Sequence, residues 1–244
     1  MVIRIDILTL FCEMFDGFLS TSIVGRAIKR ELADIQLTNI RDFALDKYGT
    51  VDDTPFGGGP GMVLKCQPIF DAVEAVRQQG GPEGKVVLLC PQGQPMSQEL
   101  VEQLADEPRL ILVAGHYEGF DERIRTGLAD MEVSLGDFVL SGGEIAAMAM
   151  VDSIVRLQSG ALGKDESTHE ESFSMGLLEY PHYTRPREYC GMEVPDILLS
   201  GDHGKIAEWR REQAEKRTRQ RRPDLWQKYL KSKESSNENA DDGR

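Results

Sequence analysis

Apolar and polar residues alternate from Ile3 to Ile7, and Ile3 to Leu10 reads as a strand with Ile3, Ile5 and Ile7 on one face. Thr21 or Ser22 is positioned to cap a helix carrying Ile23, Val24, Ala27 and Ile28, and Asp34 to Ile40 reads as a second strand. Pro68 stands where a helix would start. Ile69, Val73 and Val76 follow at helical spacing, and Gly80 and Gly81 come after the end. Val86–Cys90 and Leu110–Ala114 are short, continuous apolar runs of the buried-strand kind, and between them Ser97 can cap a helix carrying Leu100, Val101 and Leu104. Glu132–Leu135 and Phe138–Leu140 predict two shorter strands. Glu144–Leu157 is helical in pattern, with Gly160 placed to stop it.

Near-continuous apolar strands separated by helices imply a mostly parallel sheet covered on both faces, an α/β domain over residues 1–162. Residues 163–175 are polar and without period, and read as an interdomain linker. Past Tyr180, the residues Pro181, Pro186, Pro195 and Gly201 mark an irregular stretch. A charged helix beginning near Lys205 then carries Ile206, Trp209 and Gln213 on one side. Pro223 breaks it, and Leu225, Trp226, Tyr229 and Leu230 predict one more short helix. Residues 176–233 are therefore expected to form a small, mainly helical domain, and the Ser-, Asn-, Asp- and Glu-rich residues 234–244 a disordered tail.

Composition narrows the class. The chain has 244 residues, 40% of them hydrophobic, enough to build a core. Its first residues alternate in polarity and do not read as a signal peptide. No apolar run approaches the roughly 20 residues that cross a bilayer, so a cytoplasmic protein without a membrane partner is expected. Cys12, Cys66, Cys90 and Cys190 are scattered, with no Cys-x-x-Cys pair. This argues against a zinc site and a disulfide framework and suits a reducing compartment. His116, His169, His182 and His203 show no metal-ligand spacing. The net charge of -13 taken alone speaks against nucleic acid. The distribution speaks otherwise: from Lys205 to Lys233 eleven basic residues face four acidic ones. Such a stripe is either a solvated helix face or a grip for a phosphate backbone, and charge alone leaves both open.

Three glycine-bearing loops follow predicted strands: Cys90-Pro91-Gln92-Gly93, Gly115-His116-Tyr117-Glu118-Gly119, and the segment Leu135 to Glu144. Open parallel sheets bind ligands at the carboxyl ends of their strands, and glycine lets a backbone approach a ligand closely. Each loop alone is ordinary turn chemistry; three within residues 90–144 point to a binding crevice. None is a Gly-x-Gly-x-x-Gly fingerprint or a P-loop, which lowers the nicotinamide and ATP readings and leaves a ligand held mainly by backbone groups. A fourth loop, Pro55 to Met62, is denser still in glycine and is either a lid, a phosphate nest or a plain mobile loop. Asp152 and Arg156 lie one helical turn apart, the spacing of a surface ion pair, and Glu170 and Glu171 look like solvated charge.

Asp53 to Met62, Gly115 to Arg123 and Gly136 to Glu144 closely resemble signatures of the bacterial tRNA (guanine-N1) methyltransferases, a family of the knotted SPOUT class. Pro181 to Pro186, Val194 to Gly201 and Arg221-Arg222-Pro223 are similar to its C-terminal part, so the resemblance runs from the first strand to about Lys231. It implies a trefoil knot in the sheet, a rare exception to unthreaded chains. It also implies an obligate homodimer with shared active sites, a C-terminal domain gripping the tRNA anticodon arm, and methylation of the guanine immediately 3′ of the anticodon, which supports reading-frame maintenance. S-adenosylmethionine would sit bent against the three loops. The residues implied are Leu89, Pro91 and Gly93 in the first loop and Gly115, Tyr117, Glu118 and Gly119 in the second. In the third they are Leu135, Gly136, Asp137, Phe138, Val139, Leu140, Gly142 and Gly143. A magnesium (Mg2+) requirement is suggested in the same way, with no metal site placed.

Guanine N1 carries a proton at neutral pH, so its methylation needs a general base, and the charge that develops on O6 needs a cation or donor. The resemblance assigns the base to a linker carboxylate and the cation to an arginine on the last helix of the first domain. These positions are Glu171 and Arg156 here. Glu171 departs from the family's aspartate by one methylene, and Glu170 stands beside it as a substitute. His116 departs from the family's usual arginine. Two other readings remain open at this point: a SPOUT methyltransferase acting on another RNA or on a ribose hydroxyl, and a catalytically inactive RNA-binding protein.

Overall fold

The computed structural model describes residues 2–162 and 171–241, the last seven by their backbone course only. The chain divides into two compact units, Met1–Asp165 and Glu166–Arg244. In the first, β1 (Ile3–Thr9) leads through a corner of two helices, α1 (Asp16–Ser20) and α2 (Ser22–Lys29), to β2 (Ala33–Asn39). Two short strands, β3 (Asp52–Asp53) and β4 (Val63–Leu64), precede α3 (Cys66–Gln78). Then come β5 (Lys85–Pro95), α4 (Gln98–Ala105), β6 (Arg109–Ala114), α5 (Glu122–Gly127), β7 (Met131–Ser134) and α6 (Glu144–Val155). The sheet is five-stranded, in the order β2-β1-β6-β5-β7, with every pairing parallel.

Helices cover both faces, as the apolar runs predict. Because side chains alternate along a strand, each strand feeds two cores. Ile3, Ile5, Ile7, Val87, Leu89, Leu110 and Leu112 pack with α2, α4 and α6. Leu8, Val86, Leu88, Ile111 and Val113 pack with α3 and with Ile124 of α5. All six residues of the central β6 are buried, including Arg109 at its start. That guanidinium meets Asp6 of β1 at 2.8 Å and donates to the carbonyls of Val76, Gly80 and Pro82 at 2.7, 3.0 and 3.0 Å. A buried cation thus satisfies carbonyls at the end of α3 while a carboxylate of the next strand neutralises it.

Several local expectations change. Ser97 caps α4 by accepting from Leu100 N at 3.3 Å, as expected. Neither Thr21 nor Ser22 caps α2: the Thr21 hydroxyl donates back to Gly17 O, and Ser22 adopts φ 54° to turn the corner from α1. β5 does not stop at Cys90. It continues to Pro95 through an irregularity, pairing Gln94 and Pro95 with Val133 and Ser134 of β7. Pro91 lacks an N–H for the ladder, so the strand bulges there instead of ending. Residues 138–140 form no strand. Phe138 N bonds to Gly136 O at 2.9 Å, and this tight turn carries Phe138 and Val139 away from the sheet.

The second unit holds a hairpin of β8 (Glu188–Tyr189) and β9 (Met192–Glu193) and two helices, α7 (His203–Arg221) and α8 (Pro223–Asp241). Asp202 caps α7, accepting from Lys205 N at 3.1 Å. Ile206, Trp209 and Gln213 are half-buried, but the fully buried positions are Ala214 and Thr218. The Thr218 hydroxyl donates to Ala214 O and accepts from Leu178 N at 2.8 Å. α8 is not short. It runs 19 residues into the segment expected as a disordered tail, because neither Gly nor Pro follows Pro223 before Gly243.

Candidate functional site

The irregular middle of β5 and the carboxyl ends of β6 and β7 converge on a cleft of about 240 Å³ in the first unit. All three sequence-predicted loops reach it. Leu89 and Pro91 line it from β5; Gly115, Tyr117, Glu118 and Gly119 from the loop after β6; Leu135, Phe138, Val139, Leu140, Gly142 and Gly143 from the loop after β7. Gly93, Gly136 and Asp137 do not line it. A Cβ on Gly93 would stand 2.3 Å from Val133 N, so glycine there serves the close pairing of β5 with β7.

Close approach also explains Gly115 and Gly143. A Cβ on Gly115 would meet the Phe120 ring at 2.8 Å, and one on Gly143 would meet the Ala114 backbone at 2.7 Å. The second and third loops therefore run against each other almost without side chains between them. Gly143 N bonds to Gly115 O at 2.7 Å, and His116 pairs with Gly142 as an isolated bridge. Tyr117, between them, holds φ 60°, a left-handed conformation that a tyrosine adopts at a cost of about 1–2 kcal/mol.

The glycine-dense loop after β3 is anchored to the same place. β3 and β4 pair antiparallel, making Thr54–Met62 the connection of a small ladder. Glu118 N bonds to Met62 O at 2.9 Å, Leu64 N to Gly119 O at 2.9 Å and Asp121 N to Leu64 O at 3.1 Å. Gly61, at φ 81°, leaves no room for a Cβ beside the Glu118 side chain. The loop's base is thus stitched to the cleft, while Phe56 at its tip is fully exposed.

Sequence reading did not foresee the contacts that several residues make in and beside the cleft. Cys90 donates its thiol hydrogen to Glu132 Oε2 at 3.0 Å, and Arg125 contacts both that thiol and the Glu132 carboxylate, so one side of the cleft carries a neutralised polar cluster. Phe120 and Ala146 supply apolar wall. On the other side His116 Nε2 meets Glu144 Oε2 at 2.7 Å, and Glu144 is buried. The glycine pattern signals these loops, but no local pattern announces contacts made between residues so far apart along the chain. Just outside the cleft, hydrogen bonds from Arg123 hold the Asp121 carboxyl well below the usual carboxylate range, and Asp121 caps α5 by accepting from Arg123 N at 2.9 Å.

Arg156 closes α6 and is half-buried, outside the cleft lining. Glu171 belongs to the second unit, where its carbonyl accepts from Ser174 N and Ser174 Oγ at 3.3 and 2.7 Å. Glu170 lies outside the described residues. Among the described residues no group of three or more His, Cys, Asp or Glu side chains is arranged to hold a metal. Among them, too, no helix is long and apolar enough to cross a membrane.

Residues 3–228 match the family model of the tRNA (Guanine-1)-methyltransferase TrmD. This chain belongs to that family. Proteins named tRNA (guanine-N(1)-)-methyltransferase share high identity with it. The one from Brevibacillus brevis is 58% identical over 225 residues, 92% of each chain. That from Geobacillus kaustophilus is 57% identical over 93% of this chain and 92% of its own. That from Bacillus subtilis is 53% identical over 91% of both. The five-stranded parallel sheet with helices on both faces is the α/β architecture expected of the first domain.

Proposed function

We propose that this protein transfers a methyl group from S-adenosylmethionine to N1 of the guanine immediately 3′ of the tRNA anticodon. The cleft on which β5, β6 and β7 converge carries this reading, together with family membership. The donor fits the residues present. Gly115, Gly142 and Gly143 line the cleft with backbone, because the loops pack too closely there for any side chain, and Leu89, Leu135, Phe138 and Leu140 offer apolar surface to an adenine ring. When bound, S-adenosylmethionine supplies an electrophilic methyl on a sulfonium.

The chain's own residues must then prepare the acceptor. Glu171 is the base that takes the N1 proton, and Arg156 faces O6 and stabilises the charge that spreads there. The longer Glu171 side chain is accommodated by the linker, since misplacement by about 1 Å can cost about 100-fold in rate. Gly93, Gly136 and Asp137 support the donor loops from outside the lining. The basic face of α7 holds phosphates of the anticodon arm, and the target guanine is extruded from its stack so that its N1 edge becomes reachable. A homodimer with shared active sites and a cytoplasmic location complete the reading. The magnesium requirement that the resemblance suggests is assigned to no residue of this chain.

The experiment is incubation with labelled S-adenosylmethionine and unmodified tRNA carrying guanine after the anticodon. Wild type should label N1 of that guanine. Glu171→Ala and Arg156→Ala should each lose about 100-fold or more in turnover while still binding the donor. Donor binding without product from the wild type would support an inactive RNA-binding protein. Label on ribose or on another RNA would support the other alternative. Near-normal turnover by Glu171→Ala would remove Glu171 from its role.

A further inference from the structure

The cleft's second and third loops are joined by a buried polar relay that no part of the methyl-transfer scheme uses. Thr9, the last residue of β1, is fully buried, and Glu144, the first residue of α6, is 1% exposed. The Thr9 hydroxyl donates to Glu144 Oε1 at 2.6 Å and itself accepts from Phe11 N at 3.0 Å. The second carboxylate oxygen, Oε2, meets His116 Nε2 at 2.7 Å. The Phe11 ring packs on the His116 ring, with centroids 4.9 Å apart.

A carboxylate removed from water needs a partner for each oxygen, and the positive end of a helix dipole favours it at the first position of α6. A carboxylate only accepts, so the imidazole must donate through Nε2. The contact therefore has one direction and one length. It is also what excludes any side chain at Gly142, where a Cβ would stand 2.2 Å from His116 Nε2 and 2.5 Å from Glu144 Oε2. The relay ties β1, the loop after β6 and the start of α6 together at the back of the cleft. Of its three members only His116 lines the cleft.

We propose that Glu144, with Thr9 behind it and His116 in front, positions the two glycine loops at the spacing that the methyl donor requires. These are positioning residues: none is asked to touch the reacting atoms. The proposal rests on the reading of the cleft as the donor site. It predicts a particular kinetic signature, because loops held at the wrong spacing weaken donor binding but leave the acceptor machinery alone.

The test uses the full-length protein and four forms of it: wild type, His116→Leu, His116→Gln and Thr9→Val. Donor binding is measured by calorimetry with S-adenosylmethionine, and KM is measured separately for donor and tRNA. His116→Leu should raise the donor Kd and KM at least tenfold, with the tRNA KM within twofold of wild type and kcat at saturating donor within about threefold. His116→Gln, which keeps an N–H donor, should recover most of the lost affinity. Thr9→Val is nearly isosteric and outside the cleft lining. It should raise the donor KM in the same direction, so the test survives if His116→Leu folds poorly. Donor affinity within twofold of wild type in both His116→Leu and Thr9→Val would overturn the proposal. So would an equal loss in His116→Leu and His116→Gln. A wild type that binds no S-adenosylmethionine overturns the donor-site reading instead, which keeps the two failures apart.

Discussion

Replacing Gly143 with Ala adds one methyl group where the neighbouring loop leaves no space. The new Cβ would lie 2.7 Å from Ala114 Cα and 2.8 Å from Gly115 N, both backbone atoms that no side-chain rotation can clear. Gly143 has φ -81° and ψ -5°, which alanine adopts freely, so the perturbation is steric and not conformational. Overpacking of this kind costs about 1–3 kcal/mol, equivalent to a fall in Tm of about 2–12 °C for a domain of this size. If the loops separate to relieve the clash, the bond from Gly143 N to Gly115 O lengthens first, and the cleft proposed to hold the donor widens with it. Donor affinity should then drop roughly tenfold or more, the effect of about 1.4 kcal/mol. Gly17→Ala is the control, since a Cβ there meets nothing within 4 Å. In a helix it should be neutral or stabilising by up to about 1 kcal/mol. Thermal unfolding and calorimetric titration with S-adenosylmethionine give both numbers. If Gly143→Ala and Gly17→Ala were indistinguishable in Tm and donor Kd, the account of the cleft as two backbones in contact would be wrong.

Three further outcomes are expected. Asp6→Asn leaves Arg109 buried without its counter-charge and should destabilise the fold by about 3–5 kcal/mol; urea unfolding that shows a loss under 1 kcal/mol would contradict the role assigned to the pair. The Asp121 carboxyl is held below its unfolded value, so the stability it contributes is fully present above about pH 4 and is lost as pH falls toward its folded pKa. The Tm difference between wild type and Asp121→Asn should accordingly be constant from pH 5 to 8 and shrink below about pH 4; a gap that widens there reverses the sign. Lys216→Gln combined with Arg219→Gln, both on the exposed face of α7, should weaken tRNA binding and flatten its dependence on salt by about one unit of log–log slope for each phosphate that is no longer neutralised. An unchanged slope in a filter-binding series would remove α7 as the grip.

What the chain's own pattern determined was the material of the fold. Ile3, Ile5 and Ile7 on one side and Leu8 and Leu10 on the other already state that the first strand is covered twice, because side-chain alternation is a local property of extended backbone. Pro223 ends α7, Ser97 starts α4, and the glycines after β6 and β7 mark loops that meet at the cleft, all for equally local reasons. Tertiary structure decided what those loops touch. The strand order β2-β1-β6-β5-β7 sets β1 beside β6, and so brings Thr9 within reach of Glu144, 135 residues away along the chain. The same crossing decides what each glycine makes room for: another strand's backbone at Gly93, the Phe120 ring at Gly115. Glycine looks the same in a sequence whether its missing side chain admits an aromatic ring or a neighbouring strand. Only the packing of distant segments distinguishes the two, because a Cβ clash depends on atoms that sequence neighbours do not supply.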